Sequence, residues 1–132
     1  MEQSMLVDQQ AVPLGRVINS LEHLRINVVE EEYQLQDAVA EVLKNANIPF
    51  QKEYKLAPRK RIDFLIGGGI GIEIKKGKPY GANLLLQLKR YASCSVISAL
   101  VVVVERKAEV PKVINGKPCY CLQLNKLWGI AL

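Results

Sequence analysis

Two carboxylates and a lysine stand near one another in the middle of the sequence. Asp63 lies in the apolar run 61–66, and Glu73 and Lys75 lie in the next apolar run. Glycines 67–69 separate the two runs and predict a tight turn, because glycine enters positive φ at no steric cost. Side chains alternate along a strand, so Glu73 and Lys75 share a face, and pairing through the turn brings Asp63 beside Glu73.

This set of residues favours metal-assisted chemistry on phosphate. Two carboxylates at close range repel each other, and a divalent cation removes that cost. Mg²⁺ prefers oxygen ligands and often binds one or two carboxylates together with substrate phosphate; Mn²⁺ is a second candidate. Lys75 would then assist the attacking water or stabilise charge on the phosphate. Gly71, on the same face, would leave room for a backbone to approach. The alternative is an exposed strand face on which Glu73 forms a salt bridge with a neighbouring lysine.

The elements that must position these residues follow from the hydrophobic pattern. An apolar stripe predicts a helix that begins near Glu30 and ends at about Asn47. The alternation in the second strand places Ile62, Phe64 and Ile66 on one face. Strands are predicted at 50–56, 62–66, 70–76, 96–104 and 119–124, a helix at 83–93, and a loop at 111–118. This order predicts an α/β fold with a small mixed β-sheet flanked by helices.

Composition sets broad limits. The 132 residues fit one domain, predicted at 29–132, and residues 1–28 are predicted to form an N-terminal extension with a short helix. The net charge of +5 leans weakly toward a polyanionic partner. Three cysteines and no recognisable targeting segment predict a reducing, cytoplasmic location. The longest apolar run, 96–104, is far shorter than the ~20 residues that a membrane span needs, so no membrane is expected.

The run formed by Asp63 and Glu73-Ile74-Lys75 resembles the core motif of the PD-(D/E)xK nuclease superfamily. The predicted order of elements is also similar to the αβββαβ core of that restriction-endonuclease-like fold, over most of the chain. The proline that usually precedes the aspartate is replaced by Ile62. The resemblance implies a Mg²⁺ site at Asp63 and Glu73, to which the carbonyl of Ile74 adds a ligand.

Two further matches extend the resemblance. Glu32 fits the E-x-x-L-Q form on the first helix in the VRR-NUC and Holliday-junction-resolvase-like branches, which implies a further metal ligand. Helical phase leaves Glu31 as an alternative, because both glutamates flank the apolar stripe. Gln87 and Tyr91 are similar to the QxxxY element of RecB-type nucleases, and their spacing puts both on one helical face. The residues predicted to contact DNA are Arg59, Lys60, Arg61, Lys76, Lys78, Lys89, Arg90 and Tyr91. For Tyr91, a buried core aromatic is the alternative.

The expectation from the sequence is therefore a Mg²⁺-dependent DNA endonuclease that hydrolyses phosphodiester bonds. Its catalytic residues are expected to be Asp63, Glu73, Lys75, Glu32 and Gln87. A chain of this length without a separate specificity domain favours recognition of branched or junction DNA, and the resolvase-like resemblance implies a homodimer. The alternative is a catalytically inactive nucleic-acid-binding module with the same fold.

Overall fold

A mixed six-stranded β-sheet forms the centre of the protein. The computed structural model describes residues 11–25, 31–77, 81–106 and 108–127. The helices are α1 (Leu14–Leu21), α2 (Glu32–Asn45), α3 (Gly81–Ala92) and the short α4 (Leu124–Leu127). The strands are β1 (Phe50–Ala57), β2 (Lys60–Ile66), β3 (Ile70–Lys75), β4 (Ala99–Val104), β5 (Val113–Ile114) and β6 (Lys117–Gln123).

The strand order across the sheet is β1-β2-β3-β4-β6-β5. The first three strands are antiparallel to one another, β3, β4 and β6 run parallel, and β5 returns antiparallel to β6. All six residues of β4 are buried, since this apolar strand is covered on both faces. The predicted α/β class and mixed sheet are confirmed at this level.

Each face of the sheet has its own hydrophobic core. On one face, α1 and α2 pack against residues such as Phe64 and Ile72. On the other face, α3 packs against residues such as Leu65 and Val102. Val17 of α1 is fully buried in the first core together with residues of α2, so the predicted N-terminal extension contributes to the core of the domain.

Several predicted boundaries differ from the observed ones. Strand β4 begins at Ala99, where the sequence predicted Val96, and α3 spans Gly81–Ala92. The prediction of a loop at 111–118 is wrong in that residues 113–114 form β5, which pairs with the start of β6. Asn115 and Gly116 both have positive φ, of 55° and 73°, which is the backbone that a two-residue hairpin turn requires.

The alternation of β2 breaks at Asp63. Ile62 packs in the α3-side core, whereas Phe64 packs on the side of α1 and α2, so the prediction that they share a face is wrong. In the β1–β2 ladder, the pairs on either side leave Glu53 opposite Asp63, and these two are not recorded as partners. Glu53 has a φ of 51°. This left-handed residue interrupts the ladder beside the aspartate and lets the strand turn over.

The left-handed Glu53 yields a stability prediction. Because this conformation crowds Cβ of an L-residue, Glu53→Gly should raise the free energy of unfolding by roughly 1 kcal/mol. Lys52→Gly, at the adjacent regular position of β1, should lower it by a similar amount. Urea denaturation of both variants makes the comparison, and a loss of stability in Glu53→Gly would contradict the strain.

Candidate functional site

Strands β2 and β3 part at Asp63 and Glu73. The backbone ladder runs from Ile66↔Ile70 to Phe64↔Ile72, and the described pairing ends there. Beyond it, side chains take the place of the ladder. The Asp63 N–H donates to Oε1 of Glu73 at 3.3 Å, and Oδ2 of Asp63 accepts the Ile74 N–H at 2.8 Å. The two carboxylates are therefore built into the gap between the strands.

Helix α2 brings further polar groups to the same gap. Oε1 of Glu32 accepts the Lys76 N–H at 3.2 Å, and Gln36 Nε2 donates to Oδ1 of Asp63 at 3.2 Å. The negative charge of Glu32 also raises the pKa of Asp63. Glu31 is the exposed N-cap of α2. Of the two glutamates that helical phase left open, Glu32 is thus the one that reaches the gap.

Glu73 is almost completely buried, at 4% exposure. Its Oε2 lies 3.3 Å from Nζ of Lys75 and 3.1 Å from the hydroxyl of Tyr91. That hydroxyl also lies 2.9 Å from the carbonyl of Arg61 and accepts a hydrogen bond from Gln87 Nε2 at 2.9 Å. Because a hydroxyl carries one hydrogen, Tyr91 can donate to only one of its two acceptors at a time.

Burial shifts the acid–base behaviour of this cluster. Loss of water raises the pKa of Glu73 to about 7; the charge of Asp63 adds to the rise and Lys75 offsets part of it. The pKa of Asp63 is raised mainly by burial, and the Ile74 N–H opposes the rise. Burial and the nearby Glu73 carboxylate raise the pKa of Tyr91, so its hydroxyl stays protonated as a donor.

The cluster has part of the donor set of a divalent-cation site. Asp63 and Glu73 offer carboxylate oxygens in a place where Lys75 relieves their mutual repulsion only in part, and this suits a hard cation. Within the described ranges, no group of three or more His, Cys, Asp or Glu residues is arranged to hold a metal. The predicted third carboxylate, Glu32, instead accepts a backbone N–H. Ile74 gives its N–H to Asp63, and its side chain lies in the core.

The predicted DNA-contacting residues divide into two groups. Exposed or half-exposed cations occur on the β1–β2 turn and the start of β2, after β3 and on α3: Arg59, Lys60, Arg61, Lys76, Lys89 and Arg90. Lys78 lies outside the described residues. Tyr91 must be removed from this set, because the residue is only 3% exposed and packs in the α3-side core.

One residue near the gap differs from its predicted role, and another was not predicted to belong to the site. The space beside Gly71 is filled: an added Cβ would meet Ile62 and Ile97, so this glycine permits core packing and leaves no room for a substrate. Gln36, by contrast, contacts Asp63 directly and was not among the predicted site residues. Its position four residues after Glu32, on the same helical face, was the available signal.

No protein-family model, curated protein or solved structure matches this chain. In the part of the chain that the structure describes, no helix has the length and apolar character required to cross a membrane.

The raised pKa of Glu73 predicts how stability depends on pH. A carboxyl whose pKa rises from 4.5 to about 7 on folding stabilises the protein most below pH 4.5, and this contribution is lost as pH rises through 7. Without divalent cations, the contribution of Glu73 to the free energy of unfolding should fall by roughly 3 kcal/mol across that window. Chemical denaturation at a series of pH values measures the slope.

Two variants test the assignment of this slope. Glu73→Gln should flatten it, since the amide does not titrate. Glu41→Gln, at an exposed carboxyl of α2, should retain it. An unchanged slope in Glu73→Gln would contradict the role of Glu73.

Proposed function

We propose that the protein is a Mg²⁺-dependent nuclease of the PD-(D/E)xK type that hydrolyses phosphodiester bonds in DNA. The proposal includes the corresponding αβββαβ core. The observation that carries it is the pair of carboxylates, Asp63 and Glu73, held in the gap between β2 and β3 with Lys75 at 3.3 Å from Glu73.

The burial of Glu73 argues against the alternative that Glu73 only forms a salt bridge on an exposed strand face. An exposed salt bridge on a strand face would leave both side chains in water, where such a pair contributes little. Here Glu73 is 4% exposed, beside a second half-buried carboxylate, and among the described residues Lys75 is the one cation at ion-pair distance from it. Burying two acids for one base is costly, and a stable fold does not need it. A site that binds a divalent cation would give this arrangement a purpose.

In this proposal, each residue has a distinct task. Asp63 and Glu73 would hold the cation, which supplies an activated water and stabilises charge on the phosphate. Lys75 has its ammonium at Oε2 of Glu73 and would orient the water or contact a phosphate oxygen. Tyr91 and Gln87 form a chain of hydrogen bonds that holds Glu73 in place.

Helix α2 would keep the gap open. The Glu32 carboxylate holds the backbone after Lys75, and the Gln36 amide holds Asp63. Gln36 is thus a positioning residue, and Glu32 is one unless a bound cation draws its carboxylate to the metal. Exposed cations on both sides of the gap would bind the phosphates of a DNA strand without reading its sequence.

Cleavage assays test the enzymatic proposal. Plasmid, linear, single-stranded and branched DNA would be incubated with the protein in Mg²⁺, in Mn²⁺ or in chelator. Wild type should cleave at least one substrate only with the cation. Asp63→Asn and Glu73→Gln should lose activity, and Lys75→Met should lose roughly a hundredfold or more.

The matched controls are Glu41→Gln and Lys44→Gln, which alter exposed residues of α2 and should cleave as wild type does. If no substrate were cleaved in a metal-dependent way, the proposal that the protein is a nuclease would be rejected. If DNA binding persisted in that case, the protein would be a catalytically inactive nucleic-acid-binding module with the same fold.

Thermal unfolding tests the cation site without a substrate. A cation that binds only the folded protein stabilises it by roughly 2.7 kcal/mol at a hundredfold excess over Kd. The thermal midpoint of wild type should therefore rise with Mn²⁺, and that of Asp63→Asn should not. An equal rise in both proteins would mean that the cation binds elsewhere.

The homodimer and the preference for branched DNA stay predictions, to be checked by light scattering and by the same cleavage panel.

A further inference from the structure

We propose that Lys55 and Arg61 form a phosphate-binding site on the β1–β2 ribbon, which takes a backbone phosphate beside the one that is cleaved. The inference rests on the proposed function only in taking a polynucleotide as the source of that phosphate. Lys55 is a new member of the nucleic-acid surface, since the pattern of the sequence did not single it out.

The first observation is a pair of like charges. Lys55 and Arg61 are direct partners in the antiparallel β1–β2 ladder, and both are exposed. Like charges opposite each other on neighbouring strands destabilise a sheet. Among the described residues, the ion pairs are Lys52–Asp37 and Lys75–Glu73, so neither member of the facing pair has a carboxylate at ion-pair distance. An anion bound between them would relieve this repulsion.

The second observation is a concavity at the same place. A polar depression of about 300 Å³ is lined by Gln51, Lys52, Glu53, Tyr54, Lys55 and Arg61. Three cations in this lining face one carboxylate. That carboxylate belongs to Glu53, whose exposed side chain forms no ion pair with the lining cations. Lys52 is partly neutralised by Asp37 of α2 at 3.5 Å, which leaves Lys55 and Arg61 as the uncompensated charges.

The third observation is the position of the pair relative to the gap. Tyr54 and Ile62, which flank Lys55 and Arg61 in the ladder, pack with the α3-side core. Alternation therefore directs Lys55 and Arg61 to the opposite face, the one that carries α2. Arg61 precedes Asp63 by two residues, a rise of about 7 Å along a strand. Arg61 thus lies two residues along β2 from Asp63, and Lys55 lies opposite Arg61 on β1.

A hydrogen bond ties the two places together. The carbonyl of Arg61 lies 2.9 Å from the Tyr91 hydroxyl, which also contacts Glu73. The backbone beneath the cation is therefore fixed relative to the carboxylate. A phosphate held by Lys55 and Arg61 would set the register of the strand so that a neighbouring phosphodiester reaches Asp63 and Glu73.

The salt dependence of DNA binding tests this site. Fluorescence anisotropy with labelled single-stranded, duplex and four-way-junction DNA would be measured in chelator, so that no cleavage occurs, over a series of salt concentrations. Lys55→Gln and Arg61→Gln should each reduce the slope of log Kobs against log salt, by up to about 0.7 on single strands and about 0.9 on duplex, the contribution of the one phosphate that they share. Arg61→Gln leaves intact the backbone carbonyl that Tyr91 contacts.

Lys44→Gln is the matched control. Lys44 is an exposed lysine in the last turn of α2, about 18 Å along the helix from Glu32, and its replacement should leave the slope unchanged. Circular dichroism would check that each variant is folded, and Lys55→Gln should unfold no earlier than wild type because it removes a repulsion. Slopes equal to that of Lys44→Gln in both variants would overturn the site.

The outcomes separate this inference from the nuclease proposal. Cleavage by wild type with unchanged slopes in the variants would reject the phosphate site and leave the enzyme standing. Reduced slopes without cleavage by any protein would support the site and reject the enzyme. If wild type bound no DNA at all, the phosphate site would be rejected. The cleavage assay alone would then test the nuclease proposal.

Discussion

The arrangement of the candidate site depends on the place where β2 and β3 stop pairing. A strand edge that loses its neighbour must find other partners for its N–H groups, because an unpaired buried donor is costly. Here Ile74 and Lys76 find carboxylates: Asp63 accepts the first N–H and Glu32 the second. The two carboxylates thus accept N–H groups of β3 where its pairing with β2 has ended, and these hydrogen bonds fix the positions of the carboxylate oxygens.

Burial makes this substitution expensive. Glu73 is held among Tyr91, Lys75 and the Asp63 backbone, and yet its pKa is raised to about 7 because these contacts do not replace the lost water. A protein that needed only a stable hairpin would do better with apolar residues of similar volume. The cost is instead concentrated at one pair of acids, as expected where strain or unmet charge serves a function.

The break in alternation at Asp63 is part of the same construction. A regular β2 would place Asp63 squarely on one face of the sheet, opposite Glu53. Instead Glu53 adopts a left-handed backbone, and the residues on either side of Asp63 pack into different cores. Asp63 consequently lies in the gap, within reach of Gln36 from α2, while Glu73 meets Tyr91 from α3. One irregular position lets helices from both faces contribute to a single cluster.

Local pattern determined much of this protein. Alternation in β3 placed Glu73 and Lys75 on one face, and the glycines after β2 gave the tight turn. These features depend on neighbours in the chain, which a sequence displays. The tertiary structure alone decided between Glu31 and Glu32, added Gln36, buried Tyr91 and filled the space at Gly71. Each of these features depends on how far a helix is rotated or a strand is twisted. Rotation and twist are set by the packing of the whole core, and the local sequence pattern is compatible with more than one value of each.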